Sequence, residues 1–136
     1  DRTQVSNFIE ETLRLDGPGI GNFRRASANY ELNGVMIPEG ATLRLLWGSA
    51  NRDERVFEQP EQFNPNRPDL KKHMAFGQGV HSCLGAALAR LEATVVLDVL
   101  LDQPGGIRIA CPLEDLRLVP NLAIRKLKAL PIQMGV

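Results

Sequence analysis

Residues 76–85 read FGQGVHSCLG, and the rest of the sequence is best interpreted outward from this stretch. Gly77 and Gly79 predict a tight loop, because glycine adopts backbone angles that other residues avoid. Cys83 follows this loop, at the predicted start of the strongest helix of the chain. The N–H groups and partial positive charge of a helix N-terminus stabilise a thiolate and lower the pKa of a cysteine. The stretch therefore predicts a chemically active Cys83.

The segment after the loop is predicted to be a helix from about Cys83 to Asp102, ended by the Pro-Gly-Gly sequence at 104–106. Its apolar stripe consists of Leu84, Leu88, Leu91 and Val95. A neighbouring face carries the small residues Gly85, Ala86, Ala89 and Ala93. Small residues at this spacing usually serve helix packing, but beside a cysteine loop they also allow a planar cofactor to approach the backbone. Both interpretations stay open on spacing alone.

The pattern Phe76-x-x-Gly79-x-x-x-Cys83-x-Gly85 resembles the haem-binding signature of soluble bacterial cytochromes P-450. The resemblance implies a haem-thiolate monooxygenase that inserts one oxygen atom from O2 into an organic substrate, with haem b as cofactor. It implies that Cys83 is the catalytic proximal ligand of the haem iron, since a thiolate donates electron density that favours O–O cleavage. The other residues implied to contact haem in this stretch and the following helix are Phe76, Gly77, Gly85 and Ala89.

A second element of the resemblance is the acid–base pair Glu11 and Arg14 on the first predicted helix. Alone, this spacing indicates an ordinary surface ion pair, because the pair lies opposite the apolar stripe of that helix. The resemblance instead implies a buried network in which Arg67, from an irregular segment, joins the pair. Glu10 competes with Glu11 for this role, but only Glu11 has the required spacing to Arg14.

The propionates of haem require charged or hydrogen-bonding donors at the edge of the cofactor. The resemblance places His81 and Arg24 at propionate-binding positions. Arg24 is favoured over Arg25, which would point to the other face of a strand. Without the resemblance, the arginines are interpreted as surface charges and His81 as a loop histidine with ordinary hydrogen bonds.

The resemblance implies that two segments of mixed apolar and small residues face the substrate, and their composition is compatible with a small hydrophobic organic molecule. The candidate residues in them are Ile20, Asn22, Ala123 and Ile124. The resemblance also implies a ferredoxin-type or flavoprotein electron donor. Lys71, Lys72 and His73 are either a solvated charge run or part of a docking surface for that donor.

The composition is that of an ordinary globular domain, with 136 residues, 16 basic and 16 acidic side chains and 43% hydrophobic residues. The balanced charge argues against nucleic-acid binding and against a polybasic membrane anchor. No apolar run reaches the roughly 18 residues of a membrane span. The two cysteines do not resemble a disulfide-rich secreted scaffold, so we expect a cytoplasmic location.

The periodicity predicts an α+β fold with a first helix that ends before Gly17 and a hairpin at Asn33-Gly34. An irregular stretch is predicted over 51–74. The strands are predicted over 24–31, 35–37, 42–47, 107–109, 116–119, 123–127 and 130–134. This pattern resembles the C-terminal part of the cytochrome P-450 fold, with two main helices, short β-hairpins, a long irregular meander and a cysteine haem-binding loop.

We expect residues 1–136 to be a single C-terminal segment of a cytochrome P-450 haem domain, with the N-terminal and central helical part absent. In the family, that part carries an acid–alcohol pair that helps deliver protons for oxygen activation. One alternative is a truncated, non-catalytic haem-binding or interaction module that lacks oxygen activation. Another is a redox-sensing thiol on an α+β domain without haem.

Overall fold

The computed structural model describes residues 2–135. Its three α-helices are α1 (Val5–Asp16), α2 (Trp47–Ala50) and α3 (Ala86–Leu101). Single 3-10 turns cover Arg2–Gln4, Leu70–Lys72, Gly79–His81 and Leu113–Asp115. α1 packs against α3, and it ends where the Gly17 N–H donates to the Leu13 carbonyl at 3.1 Å. The predicted stop of the first helix is therefore confirmed.

The strands of residues 2–135 are short and form three separate antiparallel pairs. They are β1 (Asn22–Arg25), β2 (Tyr30–Leu32), β3 (Val35–Ile37), β4 (Thr42–Leu45), β5 (Ile107–Ile109) and β6 (Ile132–Met134). β1 pairs with β4, β2 with β3, and β5 with β6. Asn33 and Gly34 have φ angles of 50° and 79°, so the predicted Asn-Gly hairpin turn is confirmed.

The single strand predicted over 24–31 is wrong, because the chain leaves one sheet and enters another within it. The Ala26 N–H donates to the Ala41 carbonyl at 2.9 Å, which closes the end of the β1–β4 pair. The side-chain oxygen of Asn29 accepts the Glu39 N–H at 2.8 Å and holds the bend that follows. β2 then begins at Tyr30 and pairs with β3 instead.

Four other predicted strands are shorter than expected or reduced to single bridges. β4 ends at Leu45, and α2 begins two residues later. Residues 116–127 form only isolated bridges, because the Asn121 side-chain oxygen accepts the N–H groups of Ala123 and Ile124 at 2.8 and 2.9 Å. β6 begins after Pro131, which has no N–H to donate.

The buried apolar core lies beneath α1 and the irregular segment, and its members are Val5, Ile9, Leu15, Phe57 and Leu70. α3 contributes no buried residue. Its apolar stripe is uncovered, since Leu84 is fully exposed and Leu88, Leu91 and Val95 are each more than half exposed. No helix within residues 2–135 combines the length and the apolar character needed to cross a bilayer.

Candidate functional site

The cysteine loop is closed by its own backbone hydrogen bonds. Gly77 and Gly79 have φ angles of +68° and +73°, so the predicted unusual backbone angles are confirmed. The Cys83 N–H donates to the Phe76 carbonyl at 2.8 Å, and the Ser82 N–H donates to the Gly79 carbonyl at 3.0 Å. The loop therefore presents Cys83 as an exposed, free cysteine on a fixed backbone.

The periodicity predicts that the helix after the loop begins at about Cys83. In the structure it begins at Ala86. Ser82 is extended, with φ −59° and ψ 148°, and the Cys83 N–H is used to close the loop. The helix therefore starts only after Gly85, which is its N-cap residue. Cys83 stays next to the helix N-terminus, because its carbonyl accepts the Ala86 N–H at 3.3 Å.

The surface beside the Cys83 sulfur is open and apolar. Val80 is 97% exposed and Leu84 fully exposed, so apolar side chains flank the cysteine without a partner in the described chain. A Cβ atom added at Gly85 would lie 3.9 Å from the Cys83 Sγ and would fill the space there. Ala89 follows one turn later, where its N–H donates to the Gly85 carbonyl at 2.9 Å. The exposed sulfur is available from this open surface as a soft ligand for a metal.

The structure brings Glu11, Arg14 and Arg67 together in the interior, and the pair is not an exposed ion pair. Glu11 is 0% and Arg14 1% exposed. Arg14 donates to both carboxylate oxygens of Glu11 at 2.8 Å, and the Arg67 Nε donates to the same oxygens at 3.1 Å. The backbone N–H of Asn64 adds a bond of 2.8 Å. The irregular segment covers this face of α1, which the helical periodicity alone could not reveal.

Arg14 and Arg67 also hold the irregular segment in place. The two guanidinium groups donate at 2.7–3.2 Å to the backbone carbonyls of Asn51, Glu58, Pro60 and Gln62. The Arg14 guanidinium lies 5.2 Å from the centre of the Phe57 ring. Two buried charges therefore satisfy four backbone carbonyls of a largely irregular stretch.

A second charge cluster, which the sequence did not predict, contains the buried Glu10 and His73 and the partly exposed Arg90. Glu10 is 5% exposed and accepts hydrogen bonds from Arg90 at 2.6 and 3.0 Å and from the His73 Nε2 at 2.9 Å. Arg90 interrupts the apolar region between residues 84 and 101. This interruption was the sign in the sequence that Arg90 has a specific partner.

The basic run at 71–73 does not form a continuous patch. His73 is 8% exposed, so its interpretation as part of a solvated run or a docking surface is wrong. Lys71 and Lys72 are exposed, and Lys72 pairs with Asp69 at 2.6 Å. The buried position of His73 follows from its hydrogen bond to Glu10.

Acid is expected to destabilise the fold through Glu10. Burial by itself raises the pKa of Glu10, but hydrogen bonds from Arg90 and His73 outweigh it, so the pKa lies below its ordinary value of 4.5. A lowered pKa in the folded state stabilises the fold fully above the unfolded value, and this contribution is lost as the pH falls through the folded-state pKa. The urea concentration at the unfolding midpoint should therefore decrease as the pH is lowered below about 4.5.

Two variants test this pH dependence. Glu10→Gln should flatten the acid limb of the stability profile, because the side chain no longer titrates. Glu61→Gln, at an exposed ion pair with Arg52, should leave the limb parallel to that of the wild type. Equal flattening in both variants would contradict the assignment to Glu10.

The two residues predicted at the cofactor edge lie on separate elements. Arg24 is half-buried on β1, and its guanidinium donates to the Phe23 carbonyl at 2.8 Å. Arg25 points to the other side of β1, where its guanidinium comes within 3.5 Å of a Cβ atom added at Gly40. His81 ends the 3-10 turn of the cysteine loop and is exposed.

The two segments predicted to face a substrate are neighbours in the structure. The Ile20 N–H donates to the Ala123 carbonyl at 3.0 Å, and Ile124 forms a bridge with Gly19. Asn22, two residues after Ile20, is the first residue of β1 and lies opposite Leu45.

Trp47, the only tryptophan, connects this region to the cysteine loop, because a Cβ atom at Gly19 or Gly77 would lie 3.5 Å from its ring carbons. The sequence prediction had placed Trp47 at the end of a strand and missed this contact. The ring packs on two glycines that are distant in sequence, so no local pattern indicated it.

Comparison with known proteins gives consistent matches over almost the whole chain. The sequence model of the family Cytochrome P450 matches residues 2–103. Cytochrome P450 144 of Mycobacterium tuberculosis is 42% identical, over 92% of this chain and 28% of its own length. Vitamin D3 dihydroxylase of Streptomyces griseolus is 40% identical, over 97% of this chain and 32% of its own. The substrate-free structure of Mycobacterium marinum cytochrome P450 CYP150A6 superposes with a TM-score of 0.93 and 39% identity, over 98% of this chain and 34% of that one.

The chain thus spans about a third of the length of these relatives. The matched residues 2–103 include α1, the irregular segment, the cysteine loop and α3. The α+β class and the match to part of a larger fold are as predicted. On the sequence match and the superposition together, the chain belongs to the cytochrome P450 family.

Proposed function

We propose that residues 1–136 are the haem-binding C-terminal segment of a haem-thiolate monooxygenase, with Cys83 as the proximal ligand of the iron of haem b. One observation carries this proposal: Cys83 is free and exposed on a loop that its own N–H closes onto Phe76 at 2.8 Å. Bound haem would supply oxygen activation, and a thiolate ligand favours O–O cleavage. The reaction places one oxygen atom of O2 in the substrate, and the other leaves as water.

Each residue of the loop has a stated part in this proposal. Cys83 would hold the iron through its thiolate, and the Phe76 side chain would contact the cofactor on the same side. Gly85 and Ala89 leave room for a flat ring, since neither has a side chain larger than a methyl group. Gly77 would contact the ring through its backbone, because the Trp47 ring lies where a Gly77 side chain would be. Hydrogen bonds near the sulfur tune the potential of such a site, so the fixed Cys83 backbone matters for the chemistry as well as for the fold.

Arg24 and His81 are proposed to bind the haem propionates. We expect Arg24→Gln to lower haem affinity by about 10-fold or more, because a charge-assisted hydrogen bond contributes roughly twice as much as a neutral one. Arg25→Gln is the matched control, since Arg25 lies on the same strand but on its other face. Haem transfer to an acceptor protein measures both affinities. Equal loss in the two variants would contradict the role of Arg24.

The substrate is proposed to be a small hydrophobic organic molecule that contacts Ile20, Asn22, Ala123 and Ile124. The structure supports this by placing the two segments side by side, with Ile124 49% exposed. The relative named vitamin D3 dihydroxylase indicates, by its name, a largely apolar substrate for that protein. An apolar pocket with few polar groups would fit the same class here.

The electron donor is proposed to be a ferredoxin-type protein or a flavoprotein, and the location the cytoplasm. The two cysteines, Cys83 and Cys111, are free, which is the state kept in a reducing compartment. The test supplies reduced donor, isotopically labelled O2 and a panel of hydrophobic compounds to the polypeptide that carries these residues. Mass spectrometry should find products with one labelled oxygen. Haem-loaded protein that oxygenates none of the panel would instead favour a non-catalytic haem-binding or interaction module.

The exposed apolar stripe of α3 is the observation that supports the second candidate, a non-catalytic haem-binding or interaction module. Leu88, Leu91 and Val95 are each more than half exposed, which is a large apolar face for a globular protein. In the favoured proposal, other helices of the same haem domain cover this face, since relatives are about three times as long as the matched segment. In the second candidate, a separate partner covers it.

A further inference from the structure

Glu10 and Glu11 are adjacent on α1, yet their carboxylates serve two different clusters. Glu11 faces Arg14, Arg67 and the irregular segment. Glu10 faces His73, which precedes the cysteine loop, and Arg90 of α3. Glu10 and His73 are each at least nine-tenths buried, so their hydrogen bonds are made away from bulk water. The Glu10 cluster has no role in the function proposed above.

The hydrogen bonds of His73 fix which ring nitrogen carries the hydrogen. The Ala75 N–H donates to the His73 Nδ1 at 3.2 Å, so that nitrogen is an acceptor. The Nε2 therefore carries the hydrogen and donates to the Glu10 carboxylate at 2.9 Å. The imidazole thus connects α1 to the backbone immediately before Phe76.

Arg90 connects the same carboxylate to the Phe76 side chain. Its guanidinium donates to Glu10 with two nitrogens, and its central carbon lies 4.6 Å from the centre of the Phe76 ring. The His73 and Phe76 ring centres are 6.2 Å apart. Two members of the cluster therefore contact the Phe76 ring, whose own carbonyl accepts the Cys83 N–H.

We propose that Glu10, His73 and Arg90 are positioning residues that fix Phe76 and, through its carbonyl, the backbone of Cys83. The Arg90 guanidinium holds the Phe76 ring against α3. The His73 imidazole fixes the backbone at Ala75, where the chain enters the loop. The relevance to haem ligation rests on the function proposed above. The placement of Cys83 by this cluster stands on the contacts alone.

The test distinguishes positioning of Cys83 from a purely structural role, in which the cluster only stabilises the packing of α1 against α3. Arg90→Lys keeps the charge opposite Glu10 but loses the planar group over Phe76 and the two-point hydrogen bond. Arg52→Lys is the matched control, because Arg52 forms an exposed ion pair with Glu61 and has no contact with Phe76. Amide hydrogen exchange, resolved at Cys83, α1 and α3, is measured in all three proteins and needs no bound haem.

Arg90→Lys is expected to speed exchange of the Cys83 amide by about 3- to 30-fold, the range given by loss of one cation–π contact. The amides of α1 and α3 should change by less than Cys83, and Arg52→Lys should match the wild type. Equal acceleration of exchange in α1, α3 and Cys83 would show a purely structural role and overturn the proposal. An unchanged exchange rate of the Cys83 amide would overturn it as well.

Phe76→Leu provides the second variant, because it removes the ring and keeps Arg90 paired with Glu10. It should speed Cys83 exchange in the same way, and the double variant should be no faster than the stronger single one. Additive effects would overturn the proposal. The proposed function would be contradicted if Cys83 did not ligate haem. This inference would be contradicted by the exchange rates of the Cys83 amide, so the two failures are distinguishable.

Discussion

For the haem-thiolate function proposed above, Cys83→Ser is expected to lower turnover by more than about 100-fold, since even residues that only support metal ligands cost 10- to 100-fold when removed. Serine differs from cysteine in one atom, but its hydroxyl stays protonated at neutral pH, so it cannot supply the electron density by which a thiolate favours O–O cleavage. Product formation and haem retention after gel filtration measure the effect. The fold should survive, because Cys83 is exposed and its N–H bond to Phe76 is a backbone bond.

Cys111→Ser is the matched control for this substitution. Cys111 is also free, but it lies between β5 and the 3-10 turn at Leu113–Asp115, far along the chain from the loop. Its replacement should leave turnover and haem content unchanged. If Cys83→Ser kept full turnover, or if both variants lost it equally, the assignment of Cys83 as iron ligand would be wrong.

Glu11→Gln is expected to destabilise the fold by about 3–5 kcal/mol, the usual cost of breaking a buried ion pair by removing one partner. The substitution leaves the buried guanidinium groups of Arg14 and Arg67 without a counter-charge. A domain is stable by only about 5–15 kcal/mol in total, so little stability would remain. The irregular segment should loosen as well, because both arginines hold its carbonyls. Urea unfolding followed by circular dichroism measures the loss.

Glu61→Gln serves as the exposed control, since the Glu61 side chain is 73% exposed in its pair with Arg52. Its effect should stay within about 0.5 kcal/mol, as for most surface substitutions. A change below about 1 kcal/mol in Glu11→Gln would show that the buried network contributes little. In that case the irregular segment would have to be held by other contacts.

Local residue patterns predicted the cysteine loop and the hairpin well, because both depend on glycine and asparagine at positive φ. Gly77, Gly79 and Gly34 each report a backbone angle that few other residues adopt. The strand over 24–31 was not predictable in the same way. Asn29 ends it by accepting a hydrogen bond from Glu39, ten residues away, and nothing near Asn29 in the sequence indicates that partner.

The two charge clusters also differ in how far the sequence predicted them. Spacing placed Glu11 and Arg14 together but on a solvent face, and only the family resemblance suggested that Arg67 joins them. Glu10, His73 and Arg90 were missed because their contacts span 63 to 80 residues of sequence. The α3 stripe was found as a pattern, but the pattern could not say that it lacks a partner within residues 2–135. Long-range contacts decide each of these features.

The most direct test of the central claim is the absorption spectrum of the reduced, carbon monoxide-bound protein. If Cys83 ligates haem iron as a thiolate, the Soret band should be red-shifted, and Cys83→Ser should lose that shift while Cys111→Ser keeps it. A band at the position of haem without a thiolate ligand in the wild type would contradict the account. So would a red-shifted band that persists in Cys83→Ser.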